Sequence, residues 1–185
     1  AYFRYFGVGA GTPGEGWYSY DTGVWHVVVL NSNCDLVGCE LGSPQLTWLA
    51  ADLAASAAEC TLAIWHHPRF SSGPHADDPR GAAFWEALYA AGAELVLVGH
   101  DHLYERFAPQ DPSGGPDPVR GVRQITVGTG GKDLYDIEHA PANSELVIND
   151  RFGVLELTLA DGAYAWRFLA TPNAAVLDSG TATCH

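Results

Sequence analysis

The chain has 185 residues, of which 47% are hydrophobic and 17% are charged, so it is long and apolar enough to bury a core and form one domain. An aromatic content of 11% and the low charged fraction exclude a disordered chain. The formal net charge of −13 at pH 7 argues against nucleic acid as a partner, because phosphate backbones are bound by clusters of Lys and Arg that this sequence lacks.

Signals for strands and helices alternate along the chain. Residues 17–21 and 24–31 are predicted strands joined at Thr22-Gly23, a turn signal. Ser43 is a predicted N-cap, and residues 45–57 carry apolar side chains at helical spacing. Further strands are predicted at residues 61–65, 94–98, 122–127, 153–159 and 163–169, with a second helix at 79–91 and a long loop at 131–150. The alternation predicts an α/β layered core with ligands at the carboxyl ends of strands.

Histidines follow two of the predicted buried strands. The pair His66-His67 comes after the first of these strands, and the run Gly99-His100-Asp101-His102 comes after the second. A glycine at a strand end lets the backbone turn sharply, so that alternate residues direct two imidazoles toward one point. Two strand ends that deliver imidazoles to one sheet edge predict a metal site.

The four cysteines are Cys34, Cys39, Cys60 and Cys184. The first two flank a short loop and could be joined in a small disulfide ring, and a bond between the last two could tie the tail to the core. Four cysteines allow three pairings, and the sequence does not choose among them. Disulfides and an extracytoplasmic or secreted location are favoured over the alternative of four buried thiols in a cytosolic protein. No apolar run approaches the roughly 20 residues that span a bilayer, so no membrane partner is expected.

These residues resemble the calcineurin-like metallophosphoesterases, most closely their purple acid phosphatase-like branch. The family's fourth metal motif is a strand ending in His-x-Pro, here His66-His67-Pro68, and its fifth is Gly-His-x-His-x-Tyr-Glu-Arg, here residues 99–106. The strand pair at residues 16–31 and the glycine-rich turn at 127–131 fit the same family, and the likeness covers nearly the whole chain in order. The resemblance implies an α/β layered sandwich with a mixed sheet and flanking helices.

The chain departs from the family at its first three motifs. Those motifs, Asp-x-Gly, Gly-Asp-x-x and Gly-Asn-His, supply aspartates and an asparagine to a two-metal centre, and we expect none of them in this chain. The resemblance therefore implies a single, truncated domain over residues 1–185 that corresponds to the C-terminal half. Half of a layered sandwich exposes a sheet edge and apolar surface, so we expect a homo-oligomer.

Residue by residue, the resemblance implies His66, His100 and His102 as metal ligands. It also implies that His75, nine residues after His66, contacts substrate oxygen or protonates the leaving group. Zinc is the first choice of metal, with iron or manganese as alternatives. Three outcomes stay open: one metal held by all three imidazoles, a two-metal site completed by a partner, or no tight site. A three-histidine zinc keeps an open position for a water whose pKa falls to about 7 and which then acts as nucleophile.

The sequence thus predicts a metal-dependent phosphoric ester hydrolase that acts on a small phosphate-ester substrate. Diesters or triesters are favoured, because an incomplete anion clamp penalises charged monoesters most. The alternative is a non-catalytic remnant or interaction module that needs a partner or self-association. The remaining candidates have no predicted catalytic role. His67 is interpreted as a spacer, Asp101 as a residue that points away from the site, and His26 as structural. Tyr104 to Arg106 are predicted to orient the ligand loop, Asp77 and Asp78 are disfavoured as replacements for a missing carboxylate, and no role is assigned to His139 and His185.

Overall fold

The computed structural model describes residues 1–76 and 78–185. Its helices are α1 (Tyr2–Phe6), α2 (Cys34–Val37), α3 (Pro44–Ala55) and α4 (Ala82–Ala90). Its strands are β1 (Tyr18–Thr22), β2 (Trp25–Val29), β3 (Cys60–Ile64), β4 (Leu95–Val98), β5 (Tyr104–Phe107), β6 (Arg123–Val127), β7 (Ser144–Ile148), β8 (Gly153–Ala160), β9 (Ala163–Ala170) and β10 (Ala175–Thr183). None of the helices in these two ranges combines the length and apolar character that a membrane crossing requires.

The described strands form two sheets. The larger has the order β1-β2-β3-β4-β6-β5-β7, and the smaller has the order β10-β9-β8. Strands β2, β3, β4 and β6 run parallel to one another, whereas β1, β5 and β7 pair in antiparallel fashion. Because parallel neighbours end at the same edge, the segments that follow β2, β3 and β4 meet there. That edge holds the candidate site.

The large sheet is packed on both faces. Consecutive residues of its central strands enter different hydrophobic clusters, as Leu62 and Ala63 do in β3 and Leu95 and Val96 do in β4. One cluster joins the sheet to α3 and α4, and the other joins it to the small sheet. Burial on both faces explains why these strands read as nearly continuous apolar runs in the sequence.

The predicted helices form with shifted ends. Ser43 caps α3, since its hydroxyl oxygen accepts a hydrogen bond from the Leu46 amide at 3.2 Å, and Pro44 occupies the first turn. The helix ends at Ala55, two residues earlier than predicted. The predicted helix at residues 79–91 is a short 3₁₀ turn, Pro79–Gly81, followed by α4.

A strand lies where the sequence predicts a long loop. β7 falls within residues 131–150 and pairs with β5, which is also absent from the prediction, as is β10. β7 is the outer strand of its sheet, and its residues are half-buried or exposed without alternation, so it carries no period-2 signal. In β10, an added Cβ at Gly180 would lie 2.3 Å from the Trp166 ring, so this position requires the close approach that glycine allows.

Two disulfides join the four cysteines. Cys34 pairs with Cys39, and Cys60 pairs with Cys184, so no free cysteine is found in the described residues. The first closes a ring across α2, and the second ties the C-terminal tail to the start of β3. The structure thus selects one of the three pairings that the sequence left open.

A buried glutamate gives the fold a testable pH dependence. Glu94 is 3% exposed, and its Oε2 accepts a hydrogen bond from the Thr61 amide at 2.5 Å, while its Oε1 has no partner among the described residues. Burial disfavours the charged carboxylate and raises the pKa of Glu94 to about 7. The folded state therefore binds a proton more tightly than the unfolded state does, so this contribution to stability is present at acid pH and is lost as pH rises from about 4.5 through 7.

We compare the free energy of unfolding of the wild-type protein with that of Glu94→Gln at each pH. The difference, wild type minus variant, should fall by about 2 kcal/mol between pH 5 and pH 8. Urea unfolding of both proteins at each pH measures this difference. Glu59→Gln, which changes an exposed glutamate, should show no such dependence. Parallel pH profiles for wild type and Glu94→Gln would show that Glu94 titrates normally in the folded state.

Candidate metal centre

Two neighbouring strand ends bring His66 and His100 together. β3 and β4 are paired in parallel, and each histidine lies two residues beyond the end of its strand. The Gly99 amide donates a hydrogen bond to the His66 carbonyl at 3.0 Å, and His100 adopts a left-handed conformation with φ 64° that folds the loop back. As a result, Nδ1 of His100 lies 3.1 Å from Nε2 of His66.

His67 joins this pair. Ligand atoms of His66, His67 and His100 all lie within 4.8 Å of one another, and this is the one such group of three or more among the described residues. The His67 and His100 ring centroids are 4.4 Å apart. The sequence indicates that His67 is a spacer that hydrogen-bonds nearby, and its Nδ1 does lie 2.8 Å from the Ser32 hydroxyl. Its ring centroid also lies 5.0 Å from that of His66, so it is more than a spacer.

Ser32 fixes both histidines that follow β3. Its hydroxyl oxygen accepts hydrogen bonds from the backbone amides of His66 at 3.2 Å and His67 at 3.1 Å. Ser32 is not among the candidates that the sequence predicts. The available signal was its position just beyond β2, the third strand that ends at this edge of the sheet.

His102, a predicted ligand, is not part of this group and is held by different partners. Its ring stacks on Tyr135 with centroids 4.0 Å apart, and its Nδ1 donates a hydrogen bond to the Asp133 carbonyl at 2.7 Å. Because a carbonyl only accepts, this bond places the proton on Nδ1 and leaves Nε2 with a free lone pair. Such a bond is typical of histidines that ligate metals. Its partners come from residues 131–150, a segment with no periodic pattern that would reveal them.

The histidines of the group favour their neutral forms. Burial, with His102 nearby, lowers the pKa of His66, and burial together with Arg80 and His66 lowers that of His67. Burial and the neighbouring histidines lower the pKa of His100 to about 4. Neutral imidazoles are the form that binds metal, so this donor set fits zinc or another transition metal of similar preference.

His75 contacts the group from a separate loop. Its ring centroid lies 4.2 Å from that of His100, and its side chain is 40% exposed. Its Nδ1 lies 2.5 Å from Oδ1 of Asp101. Asp101 was predicted to point away from the site, but it is fully buried and faces the His75 loop, because the left-handed turn at His100 carries the next residue inward.

The residues of β5 divide between two tasks. Glu105 is buried and accepts hydrogen bonds from the Ser72 amide at 2.8 Å and from the hydroxyls of Ser72 and Ser144 at 2.5 and 2.6 Å. It therefore anchors the loop that carries His75. Tyr104 and Arg106 point to the other face of β5, where both hydrogen-bond Asp178.

The glycine-rich turn after β6 supports the histidine loop. A Cβ added at Gly128 would lie 1.9 Å from the Asp101 carbonyl oxygen, so only glycine lets the two backbones approach this closely. This is the glycine-rich turn at residues 127–131 that fits the family pattern in the sequence.

The remaining candidates lie elsewhere or are engaged. His26 is buried between Asp21 at 2.7 Å and Asp52 at 2.9 Å; burial lowers its pKa, but the two hydrogen bonds outweigh burial and raise it. The expectation that no Asp-x-Gly pattern occurs is wrong, because residues 21–23 and 178–180 both carry its letters. The first lies in the β1–β2 hairpin and the second in β10. The Asp78 carboxylate pairs with Arg80. Asp77 lies outside the described residues, and His139 and His185 are exposed.

Comparisons with known proteins find acid phosphatases. Purple acid phosphatase 18 of Arabidopsis thaliana is 33% identical over 128 residues, which make up 66% of this chain and 28% of that protein. Acid phosphatase A of Cryphonectria parasitica is 27% identical over 194 residues, which make up 89% of this chain and 38% of that protein. The chain therefore spans well under half the length of these relatives. No family model matches the chain.

Solved structures share the fold. Purple acid phosphatase PPD1 from yellow lupin (Lupinus luteus) seeds gives a TM-score of 0.83 at 19% identity, covering 94% of this chain and 34% of that chain. GAP50, the anchor in the inner membrane complex of Plasmodium, gives a TM-score of 0.74 at 16% identity, covering 94% of this chain and 56% of that chain. The likeness confirms the predicted α/β architecture with a mixed sheet and flanking helices.

Proposed function

Because the chain belongs to the purple acid phosphatase-like branch of the calcineurin-like metallophosphoesterases, we propose that it hydrolyses phosphoric esters with a metal held at the edge formed by β3 and β4. The observation that carries this proposal is the contact between His66 and His100, two strand-end imidazoles whose lowered pKa values keep them neutral. The activity is tested by hydrolysis of aryl phosphates with and without a chelator.

His66, His100 and His102 are the proposed ligands, and His67 is the additional donor within reach of the first two. Zinc is the first choice because imidazole nitrogens suit it, with iron or manganese as alternatives. When bound, such a metal supplies hydroxide from water near neutral pH and offsets negative charge on the phosphoryl group. The group contains no carboxylate, so the family's second metal position has no acidic ligand within it.

His75 is the proposed acid. Its Nδ1 is engaged by Asp101, so its Nε2 is the nitrogen available to the substrate, and the exposure of its side chain allows an ester to reach it. A proton donated from Nε2 to the departing oxygen would ease cleavage of the phosphorus–oxygen bond. The ring lies beside His100, which places this acid next to the proposed metal position.

Diesters or triesters are the proposed preferred substrates. The histidines of the group are neutral and add no fixed positive charge to bind a dianionic monoester. A cleft of about 460 Å³ opens beside His66 and is lined in part by the apolar side chains of Phe3, Leu36 and Val37. This cleft offers a place for a second ester substituent.

We expect kcat/KM for bis(p-nitrophenyl) phosphate to exceed that for p-nitrophenyl phosphate by about 10-fold, the effect of burying part of one more ring. Leu36→Ser should lower the rate with the diester and leave the monoester unaffected; Leu36 is 84% exposed, so the change spares the core. Initial rates of nitrophenol release measure both. Faster turnover of the monoester would overturn the proposed preference.

A second candidate function is a non-catalytic module that associates with itself. Val154, at the start of β8, is 58% exposed, and an apolar cleft beside it is lined by Leu97, Val127, Leu155 and Leu157, among others. Within the described residues β8 pairs with β9 alone, so its outer edge is open to a second copy. A metal-loaded sample with twice the chain's mass and no hydrolysis of either ester would favour this candidate.

The proposed location is outside the cytoplasm. Both disulfides are of the kind that form and persist in oxidising compartments.

A further inference from the structure

A buried carboxylate faces the proposed acid. Asp101 is fully buried, and its carboxylate contacts the Ser71 hydroxyl, Nδ1 of His75 at 2.5 Å and, at the longer distance of 3.4 Å, the His75 amide. All of these partners lie in one loop, residues 71–75. The carboxylate therefore sits at the centre of the loop that carries the acid.

The loop is shaped to receive this carboxylate. A Cβ added at Gly73 would lie 2.6 Å from Oδ2 of Asp101, so any other residue here would force the loop and the carboxylate apart. The Gly73 amide donates to the Ser71 hydroxyl at 2.9 Å, and this hydroxyl in turn donates to Asp101. Glu105 anchors the loop independently through Ser72.

The contact fixes the orientation of the His75 ring. An ionised carboxylate only accepts, so the short contact places a proton on Nδ1 of His75 and directs Nε2 away from Asp101. The ring also packs against His100 at 4.2 Å and lies 6.1 Å from Tyr135. The ring can therefore neither flip nor change its neutral tautomer without breaking the bond to Asp101.

We propose that Asp101 is a positioning residue for acid catalysis by His75, an inference that rests on the proposed ester hydrolysis. Asp101 holds Nδ1 of His75 so that Nε2 faces the ester. Nε2 gives its proton to the ester oxygen as the phosphorus–oxygen bond breaks and the electron pair leaves with the alcohol. Water forms the new phosphorus–oxygen bond, and the proton that it loses restores Nε2.

Kinetics test the positioning role. We expect Asp101→Asn to lower kcat by about 100-fold for an alkyl phosphate ester, whose leaving group needs a proton, with KM little changed. The loss should be less than about 5-fold for a p-nitrophenyl ester, whose leaving group needs little help. In the His75→Ala background the same change should have no further effect, because the two residues act as one unit.

Asp136→Asn is the matched control, since it removes the same charge from an exposed position. It should leave both rates unchanged. Equal losses for both esters, or an additive effect in the His75→Ala background, would overturn the positioning role. Absence of hydrolysis by the wild-type protein would overturn the proposed function as well, so the two failures are distinguishable.

Nitrogen-15 spectra of the metal-free wild-type protein provide a second test that needs neither activity nor a variant. We expect the His75 ring to show a single neutral tautomer with its proton on Nδ1, in contrast to the averaged signals of exposed His185. A wild-type His75 ring with averaged nitrogen signals, or with its proton on Nε2, would contradict the inference.

Discussion

Replacing His100 with alanine should remove the bound metal and lower ester hydrolysis by about a thousandfold or more. His100 lies at the centre of the histidine group: its ring contacts His66 at 3.1 Å, and its centroid lies 4.4 Å from that of His67 and 4.2 Å from that of His75. A catalytic metal stabilises the transition state by several kcal/mol. Each loss of roughly 1.4 kcal/mol lowers the rate tenfold.

Metal analysis of the purified variant and its rate with p-nitrophenyl phosphate together measure this effect. His185→Ala is the control, because it removes an exposed histidine at the end of the chain and should change neither quantity. His100 is half-buried rather than part of the hydrophobic core, so the variant should unfold at nearly the wild-type urea concentration. Undiminished metal content and turnover in His100→Ala would exclude the proposed ligand set.

Removing the disulfide between Cys60 and Cys184 should lower the free energy of unfolding by about 5 kcal/mol. The two residues are 124 positions apart, so the bond restricts the unfolded chain strongly. The pair Cys34 and Cys39 is separated by only 5 positions, and its removal should cost about 2 kcal/mol by the same reasoning.

The double variants Cys60→Ala/Cys184→Ala and Cys34→Ala/Cys39→Ala are therefore matched controls for each other. Urea unfolding under non-reducing conditions gives both free energies. Each double variant removes two cysteines, so the decisive observation is which variant loses more free energy of unfolding. A larger loss for the short ring would mean that the tail is not held to β3 as the structure shows.

The sequence predicts best where one element alone decides the structure. β3 and β4 are continuous apolar runs because they are buried on both faces, and this signal needs no knowledge of their partners. Ser43 and Pro44 likewise mark the start of α3 by local chemistry. The same local reading places His66 and His100 just beyond two parallel strands.

The sequence does not predict a structure that depends on a segment far away along the chain. β7 is a strand because β5 pairs with it, and its own residues show no alternation. His67 is brought into the group by Ser32, which follows a different strand, and His102 is oriented by Tyr135 and Asp133. The direction of Asp101 depends on the left-handed turn at His100, a backbone feature that the sequence pattern does not specify.

The most direct test of the proposed metal site is anomalous diffraction from crystals of the wild-type protein soaked with zinc, recorded on both sides of the zinc absorption edge. We expect an anomalous peak within bonding distance of ring nitrogens of both His66 and His100, and no such peak in crystals of His100→Ala. A zinc-soaked crystal with ordered His66 and His100 rings and no anomalous density between them would contradict the proposed site.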